Sequence, residues 1–273
     1  MLGSKSEHCQ IVFERGFRSA IARQTMTTQP LSGKSALVTG GARRVGRTIA
    51  LALAQAGADV AISFRNSRDE AAQTAREIES LGRQALAVAC DMRSEGSVRD
   101  AVAAAVGCFG RFDILVNNAA VFQSAPLDSL TVDQWDEVFE TNARGPFLAA
   151  REALPYLRAV EGRIVNIGSL GGMKAWAGHA HYCASKAALH MLTQAMAKAF
   201  APQVCVNCVA PGWIELDGEE KERATGLAEH FAAKTPMRRN GSAEDVAQAV
   251  LFFAAGPHFV TGQVLAVDGG LGL

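Results

Sequence analysis

Residues 39–46, TGGARRVG, decide the fold class of this chain. They follow the apolar run Ser35–Val38 and precede an amphipathic segment, which predicts a tight loop between a buried strand and a helix. Such a loop can bind an anion because the first amides of the helix point outward, unpaired. Glycine normally fills its crowded positions, as Gly40 and Gly46 do here. Arg44, however, stands where a middle glycine is expected.

Strand-like and helix-like segments alternate from this loop onward. The apolar runs are short and mostly β-branched, as in strands that are buried on both faces of a parallel sheet. The predicted strands are 35–39, 59–64, 85–89, 114–117, 163–167, 204–210 and 264–267. The predicted helices are 44–56, 68–81, 94–109, 132–158, 180–200 and 243–255. This order predicts an α/β fold, a single doubly wound domain with a seven-stranded parallel sheet and helices on both faces.

Composition narrows the class of protein. A chain of 273 residues with 49% hydrophobic content suits one α/β domain. Its 27 basic and 27 acidic residues cancel, so no overall field attracts nucleic acid or an anionic membrane. No run approaches the roughly 18 apolar residues of a membrane span. We therefore expect neither a nucleic-acid nor a membrane partner.

The six cysteines lack the spacing of a disulfide framework. Cys205 and Cys208 form a CxxC, but positions i and i+3 of a strand face opposite sides of a sheet. We interpret them as two small buried hydrophobes that neither form a disulfide nor share a metal. No His, Cys and Asp spacing suggests zinc, so no metal is expected. The expected compartment is a reducing cytoplasm.

Two segments depart from the alternating pattern. Residues 1–30 have no sustained apolar core and no small-residue cleavage site, which disfavours a secretory signal. We expect an N-terminal extension that is disordered or non-native, with Met26 as the natural start, ahead of a domain at 31–273; a short interaction arm is the alternative. The polar segment 213–241 follows the sixth strand. We expect it to be a mobile lid over the substrate, the alternative being a pair of solvated surface helices.

The end of the second predicted strand indicates which dinucleotide the loop would bind. About 20 residues after such a loop, an acidic residue normally binds both ribose hydroxyls of NAD. Here Arg65, Asn66 and Ser67 follow the strand, and no carboxylate occurs before Asp69. Arg65 and Arg44 could hold a 2′-phosphate through charge-assisted hydrogen bonds. The expected cofactor is NADPH/NADP⁺; the alternative is surface arginines that cap a helix start.

A tyrosine and a lysine at helical spacing are the candidate catalytic pair. Tyr182 and Lys186 lie four residues apart, on one face of the predicted helix 180–200. The ammonium is expected to lower the pKa of the phenol towards the working pH and so make it a proton donor to an oxygen that receives hydride. Ser169, at the end of the fifth strand, could hydrogen-bond the same oxygen and polarise the carbonyl.

Together these motifs resemble the short-chain dehydrogenase/reductase family over residues 32–273. The resemblance rests on residues 39–46, Asp91, Asn117, Asn118, Ala119, Asn142, Ser169, Tyr182, Lys186, Pro211, Gly212 and 267–270. It implies a Rossmann fold and an NADPH-dependent oxidoreductase that transfers hydride to a small ketone or aldehyde. It further implies that Asn142 completes a catalytic tetrad with Ser169, Tyr182 and Lys186, by holding a water that passes protons to the lysine.

The predicted cofactor contacts come partly from the residue patterns and partly from the family resemblance. Asp91 follows the third strand and is placed to accept a hydrogen bond from the adenine amine, or else is a helix N-terminal acid. The resemblance implies that Pro211 and Gly212 bend the chain beneath the nicotinamide and that the backbone near Ile214 holds its carboxamide. The full predicted set is Gly40, Arg43, Arg44, Val45, Gly46, Arg65, Asn66, Ser67, Asp91, Met92, Asn118, Ala119, Ala120, Tyr182, Lys186, Pro211, Gly212 and Ile214.

The substrate is less well defined than the cofactor. The variant TGxxxRxG is similar to the pteridine reductase-like subgroup, which stacks a pterin ring at the position of Phe122. That subgroup usually carries Asp where this chain has Ser169, and serine suits a carbonyl substrate better. Pterin reduction and 3-oxoacyl thioester reduction are alternatives within the enzymes. A non-catalytic dinucleotide-binding sensor is the alternative of another class.

The predicted substrate contacts are Phe122, His179 and Trp213. His179 and His181 flank Tyr182 and could contact a polar substrate, or be loop histidines satisfied by water. Trp213 could line an apolar pocket or serve only as packing. The resemblance implies a homotetramer that pairs the predicted helices 132–158 and 180–200. An alanine-rich face permits such pairing but fits packing on the sheet equally: Ala184, Ala187, Ala188, Met191 and Ala195.

Overall fold

Seven parallel strands form one sheet in the described part of the chain, in the order β3-β2-β1-β4-β5-β6-β7. The computed structural model of the protein describes residues 29–215 and 226–273. The strands are β1 (Ser35–Val38), β2 (Asp59–Phe64), β3 (Ala85–Ala89), β4 (Ile114–Asn117), β5 (Arg163–Ile167), β6 (Cys205–Pro211) and β7 (Val264–Val267). The helices are α1 (Arg44–Gln55), α2 (Arg68–Ser80), α3 (Glu95–Phe109), α4 (Val132–Phe139), α5 (Gly145–Ala159), α6 (Ala180–Phe200), α7 (Leu227–Lys234) and α8 (Ala243–Ala255). The predicted doubly wound α/β fold is confirmed.

Alternation along the central strands creates a hydrophobic core on each face of the sheet. In β1, Ala36 and Val38 belong to the core that also contains residues of α1 and α8. Leu37, between them, belongs to the opposite core with residues of α3 and α5. All three side chains are at most 1% exposed. Burial on both faces explains why these strands read as unbroken apolar runs.

The winding of the sheet reverses at β1. This strand pairs with β2 on one side and with β4 on the other, both in parallel. The connections that leave the carboxyl ends of β1 and β4 therefore diverge and leave a crevice between them, where open α/β sheets bind ligands. The loop at 39–46 starts at this crevice.

The predicted helix 132–158 is helical throughout, but it is not a regular α-helix. The structure contains α4, a π-helical turn at Glu140–Arg144, and then α5. Pro146 has no N–H to donate to the carbonyl of residue 142, so regular bonding from i to i−4 fails at this point. A π-helical turn absorbs the defect, and Asn142 lies within it.

The structure describes only part of the N-terminal extension and of the predicted lid. Residues 1–28 of the predicted extension lie outside the described residues, and Leu31–Leu273 form one compact unit. Of the predicted lid, residues 216–225 lie outside the described residues, whereas 226–241 include α7. Cys205 and Cys208 are buried free thiols. Within 29–215 and 226–273, none of the helices is long and apolar enough to cross a membrane.

Candidate active site

The loop after β1 is fixed to the end of β4 by a short hydrogen-bond network. The Thr39 hydroxyl accepts hydrogen bonds from the amides of Asn118 and Ala119, both at 3.0 Å. The Asn118 side-chain amide donates to the carbonyls of Thr39 and Gly40, at 2.9 and 3.1 Å. A Cβ on Gly46 would overlap both the Gly40 carbonyl oxygen and the Asn118 side chain. Glycine at 46 is thus required for the loop to close.

Arg44 adopts a glycine-like backbone conformation, with φ of 52°. A non-glycine residue in this left-handed region costs about 1 kcal/mol or more. Arg43 and Arg44 are exposed at the N-terminus of α1, and the first turn of this helix has no acidic residue. The helix dipole disfavours cations at this end. Arg43 is the N-cap residue and makes no side-chain capping bond, so capping does not explain its presence.

A cleft of about 450 Å³ opens from this loop across the carboxyl ends of the strands. Most of the predicted cofactor residues line it: Gly40, Arg43, Arg44, Val45, Gly46, Arg65, Asn66, Ser67, Asp91, Met92, Asn118, Ala119, Ala120 and Tyr182. Ser63 and Thr141 also line it and were missed by sequence reasoning. The Ser63 hydroxyl accepts a hydrogen bond from the Gly40 amide at 3.3 Å.

A group of charged side chains surrounds the far end of the cleft. Asp91 forms a bidentate ion pair with Arg93, at 2.7 Å between the closest atoms, and this hydrogen bonding lowers the pKa of the carboxyl to about 2. The alternative that Asp91 is a helix N-terminal acid is wrong, because Ser94 caps α3. Arg65 lies 3.7 Å from Glu137 of α4, which also accepts a hydrogen bond from Gln123. No sequence pattern pointed to Glu137.

Tyr182 and Lys186 both contact the end of β5. The Tyr182 hydroxyl lies next to the Ser169 side chain. The Lys186 ammonium donates to the Ile167 carbonyl at 2.8 Å and lies 5.8 Å from the centre of the Tyr182 ring. Ser169 and Lys186 are 4% and 2% exposed. The structure therefore brings the three predicted catalytic residues together.

The expected lowering of the tyrosine pKa is wrong for the protein as the structure describes it. Burial raises the pKa of the Tyr182 phenol above its usual range, and the hydrogen bond from Ser169 offsets only part of this effect. Burial also lowers the pKa of the Lys186 ammonium, to about 8. Both groups lose water, and in each case this disfavours the charged form. The phenol is consequently held in its protonated state.

Asn142 is fully buried in the π-helical turn, and its side chain binds the backbone of residue 121. Its amide oxygen accepts from the Val121 amide at 2.8 Å. Its amide nitrogen donates to the Val121 carbonyl at 2.9 Å and to the Ser185 hydroxyl at 3.1 Å. Both side-chain N–H groups are therefore used within the protein. Any water that Asn142 holds would bind its main-chain carbonyl, which lacks the usual helical donor at Pro146.

Aromatic rings form a wall beside Tyr182. Phe122 stacks on His179 with 4.6 Å between ring centres and meets the Tyr182 ring edge-on at 4.8 Å. Trp176, which lies in the segment 175–181 expected to shape the substrate site, is 6.3 Å from both the His179 ring and the Tyr182 ring, measured between ring centres. The interpretation of His181 as a water-satisfied loop histidine is wrong, because it lies in α6 and is 0% exposed. It follows the first residue of the helix and faces the interior.

The remaining predicted residues lie at the ends of β6 and β7. Gly212 donates to the Val267 carbonyl at 3.0 Å and directly follows Pro211. Ile214 forms an isolated bridge with Gly241. Trp213 stacks on Phe231 of α7, with 4.1 Å between ring centres. That contact supports the packing alternative for Trp213.

Comparison with known proteins agrees with this geometry. A family model described as enoyl-(acyl carrier protein) reductase matches residues 40–272. The chain is 35% identical over 241 residues to the 3-oxoacyl-(acyl-carrier-protein) reductase FabG of Staphylococcus epidermidis, covering 87% of this chain and 98% of that protein. A dehydrogenase/reductase from Sinorhizobium meliloti 1021 superposes with a TM-score of 0.82 at 38% identity, over 91% of this chain and 99% of the other.

A second solved structure carries a cofactor. It is a blue fluorescent protein from a metagenomic library, in complex with NADPH, and it superposes with a TM-score of 0.81 at 37% identity, over 88% of this chain and 98% of the other. These matches span the sheet, the cleft and the residues around Tyr182. The chain belongs to the short-chain dehydrogenase/reductase family of oxidoreductases.

Proposed function

We propose that the protein is an NADPH-dependent reductase of small ketones or aldehydes, with Ser169, Tyr182 and Lys186 as its catalytic residues. The convergence of these three side chains beside the cleft carries the proposal. A protein that only binds a dinucleotide has no need of a buried, protonated phenol next to a buried ammonium. We therefore favour catalysis over the sensor.

The cleft residues suit a phosphorylated dinucleotide. Glycine at 46 lets the loop close against the Gly40 carbonyl and the Asn118 side chain, and the N-terminal amides of the helix that follows are suited to bind a pyrophosphate. Arg44 and Arg65 line the same cleft and would hold a 2′-phosphate. Two exposed arginines at a helix N-terminus, one of them in an unfavourable backbone conformation, are consistent with an anionic ligand at that point. The NADPH in one structural relative supports the same choice.

The geometry suggests how the residues divide the work. When bound, the reduced nicotinamide supplies the hydride. Ser169 and Tyr182 would both donate hydrogen bonds to the carbonyl oxygen of the substrate, which polarises the C=O bond. Tyr182 gives its proton to the oxygen as negative charge develops there. The Lys186 ammonium stabilises the phenolate that remains, because opposite charges attract strongly where water is excluded.

Two other substrates have a specific observation in their favour. The name of the staphylococcal relative indicates a 3-oxoacyl thioester. The exposed ring of Phe122, 58% accessible, could stack on a pterin. NADPH oxidation should therefore be measured with simple ketones and aldehydes, acetoacetyl thioesters and dihydropterins. The proposal is supported if ketones or aldehydes have the highest kcat/KM. Turnover of only thioesters or only dihydropterins would show that the enzyme has that substrate class instead. Tight NADPH binding without any turnover would favour the non-catalytic sensor.

The pKa of Lys186 predicts an alkaline limit to carbonyl reduction. Below about pH 8 the ammonium is charged and can stabilise the phenolate; as the pH rises through about 8 that charge is lost, while Tyr182 keeps its proton. We expect kcat for reduction to fall across this range. The Lys186→Arg variant keeps its charge at every accessible pH, so any activity it retains should lack this limb. A wild-type kcat that stays constant well above pH 8 would contradict the assignment.

We further propose a homotetramer. On α6, Ala187, Met191 and Ala195 are exposed one turn apart, so this part of the alanine-rich face does not pack on the sheet. Phe147 and Tyr156 of α5 are 42% and 41% exposed. Light scattering should give about four times the mass of one chain. Met191→Glu should reduce that mass by opposing helix pairing, whereas Lys198→Glu, on an exposed site at the end of α6, should not; a monomeric wild type would overturn the proposal.

A further inference from the structure

Three side chains, spaced one turn apart on α6, hold the chain around Ser169. The Tyr182 hydroxyl lies next to the Ser169 side chain, and the Lys186 ammonium donates to the carbonyl of Ile167. His190, four residues further on, accepts a hydrogen bond at Nε2 from the Ser169 backbone amide, with 3.4 Å between the nitrogens. Positions i, i+4 and i+8 lie on one face of a helix. The proposed chemistry uses the first two residues and leaves His190 without a role.

The His190 ring is fitted between Gly168 and Gly172, which flank Ser169 in the chain. A Cβ on Gly172 would lie 2.6 Å from Cε1 of His190 and 2.8 Å from the carbonyl carbon of Lys186. A Cβ on Gly168 would overlap Nε2. The ring is only 8% exposed. Glycine at both positions therefore makes room for the imidazole against the turn that carries Ser169.

The protonation state of His190 suits this contact. Burial, and then the nearby Lys186 ammonium, lower the pKa of its imidazole to about 4. A neutral imidazole has one nitrogen that accepts and one that donates. The contact with Ser169 assigns the acceptor role to Nε2, which places the proton on Nδ1.

We propose that His190 is a positioning residue that fixes the Ser169 hydroxyl beside Tyr182 by accepting the Ser169 amide hydrogen. Its effect on catalysis rests on the proposed function; the backbone contact does not. Without the acceptor, Ser169 can drift from the point where both hydroxyls meet one oxygen, and small misplacements of this kind cost large factors in rate. His190 is not among the residues that line the cleft.

A matched pair of substitutions tests the hydrogen bond apart from packing. His190→Gln keeps an acceptor near the position of Nε2, and His190→Leu has a similar size with none. We expect kcat to fall about 10-fold in the Leu variant, the value of one lost hydrogen bond near 1.4 kcal/mol, with the NADPH dissociation constant within about twofold of wild type. The Gln variant should recover most of kcat.

Hydrogen exchange gives a readout that needs no substrate. The Ser169 amide, followed in peptides that cover residues 167–172, should exchange slowly in the wild type, faster in His190→Leu and again slowly in His190→Gln. Wild-type kcat in the Leu variant, equal loss in both variants, or fast exchange of this amide in the wild type would overturn the proposal. Even if the Leu variant fails to fold, fast exchange of the Ser169 amide in the wild type would still overturn the proposal. A wild type inactive on every carbonyl would end the proposed function but not the contact.

Discussion

Tyr182→Phe is expected to lower kcat for carbonyl reduction by about 10²–10⁴-fold, the usual contribution of a positioned general acid. The substitution removes only the hydroxyl, which lies next to the Ser169 side chain. The ring and its packing against Phe122 remain, so the fold should not change. The KM for NADPH should change little, because most of the cleft lies far from this hydroxyl. Steady-state kinetics and direct titration of NADPH measure the two effects separately.

The chain supplies a matched control for this experiment. Its other tyrosine, Tyr156 in α5, is 41% exposed and lies outside the cleft lining. Tyr156→Phe should leave kcat within about twofold of wild type. Retention of more than about a tenth of wild-type kcat by Tyr182→Phe would show that another group donates the proton.

Arg65→Asp is expected to shift the ratio of kcat/KM for NADPH to that for NADH by about 100-fold or more, in favour of NADH. The guanidinium would contribute hydrogen bonds to a charged phosphate, worth about 1.5–3 kcal/mol, and the new carboxylate would repel the phosphate. It could instead accept from the ribose hydroxyls of NADH. The effect should weaken as salt is added, since Arg65 is 44% exposed and therefore screened.

Arg68→Asp is the matched control for this charge reversal. Arg68 lies three residues further on, over the Phe64 ring, and does not line the cleft. The same change of charge there should move the cofactor ratio only slightly. Equal losses with NADPH and NADH in Arg65→Asp would remove this residue from the cofactor assignment.

The sheet was predictable because parallel strands buried on both faces have a strong local signal. β2, β3, β4, β5 and β7 have the predicted bounds, and β1 and β6 differ by one residue. The π-helical turn inside the predicted helix 132–158 was not predicted, because it depends on Pro146 and on backbone hydrogen bonding, whereas the hydrophobic periodicity continues through it. The burial of His181 was not predicted for a related reason: a position at the very start of a helix gives no periodic signal of burial.

In the candidate site, residues fixed by local spacing were predicted, and residues placed by packing were not. Tyr182, Lys186 and Ser169 were found from spacing, since a helical repeat and a strand end fix their positions. The direction of the Tyr182 pKa shift was not predicted, because it depends mainly on burial of the phenol. Glu137 reaches the site from α4, and His190 lies one turn beyond Lys186 on α6. Their contacts are set by packing alone, and no motif marks them.

Hydride transfer to a carbonyl carbon, with Tyr182 as proton donor, is tested most directly with NADPH deuterated on either face of nicotinamide C4. The wild type should yield an alcohol with one deuterium on its carbinol carbon from one of the two labelled cofactors and none from the other. Tyr182→Phe should bind both cofactors and yield almost no alcohol. An alcohol without deuterium from either cofactor, or no alcohol from any carbonyl despite tight binding of NADPH, would contradict the proposed reaction.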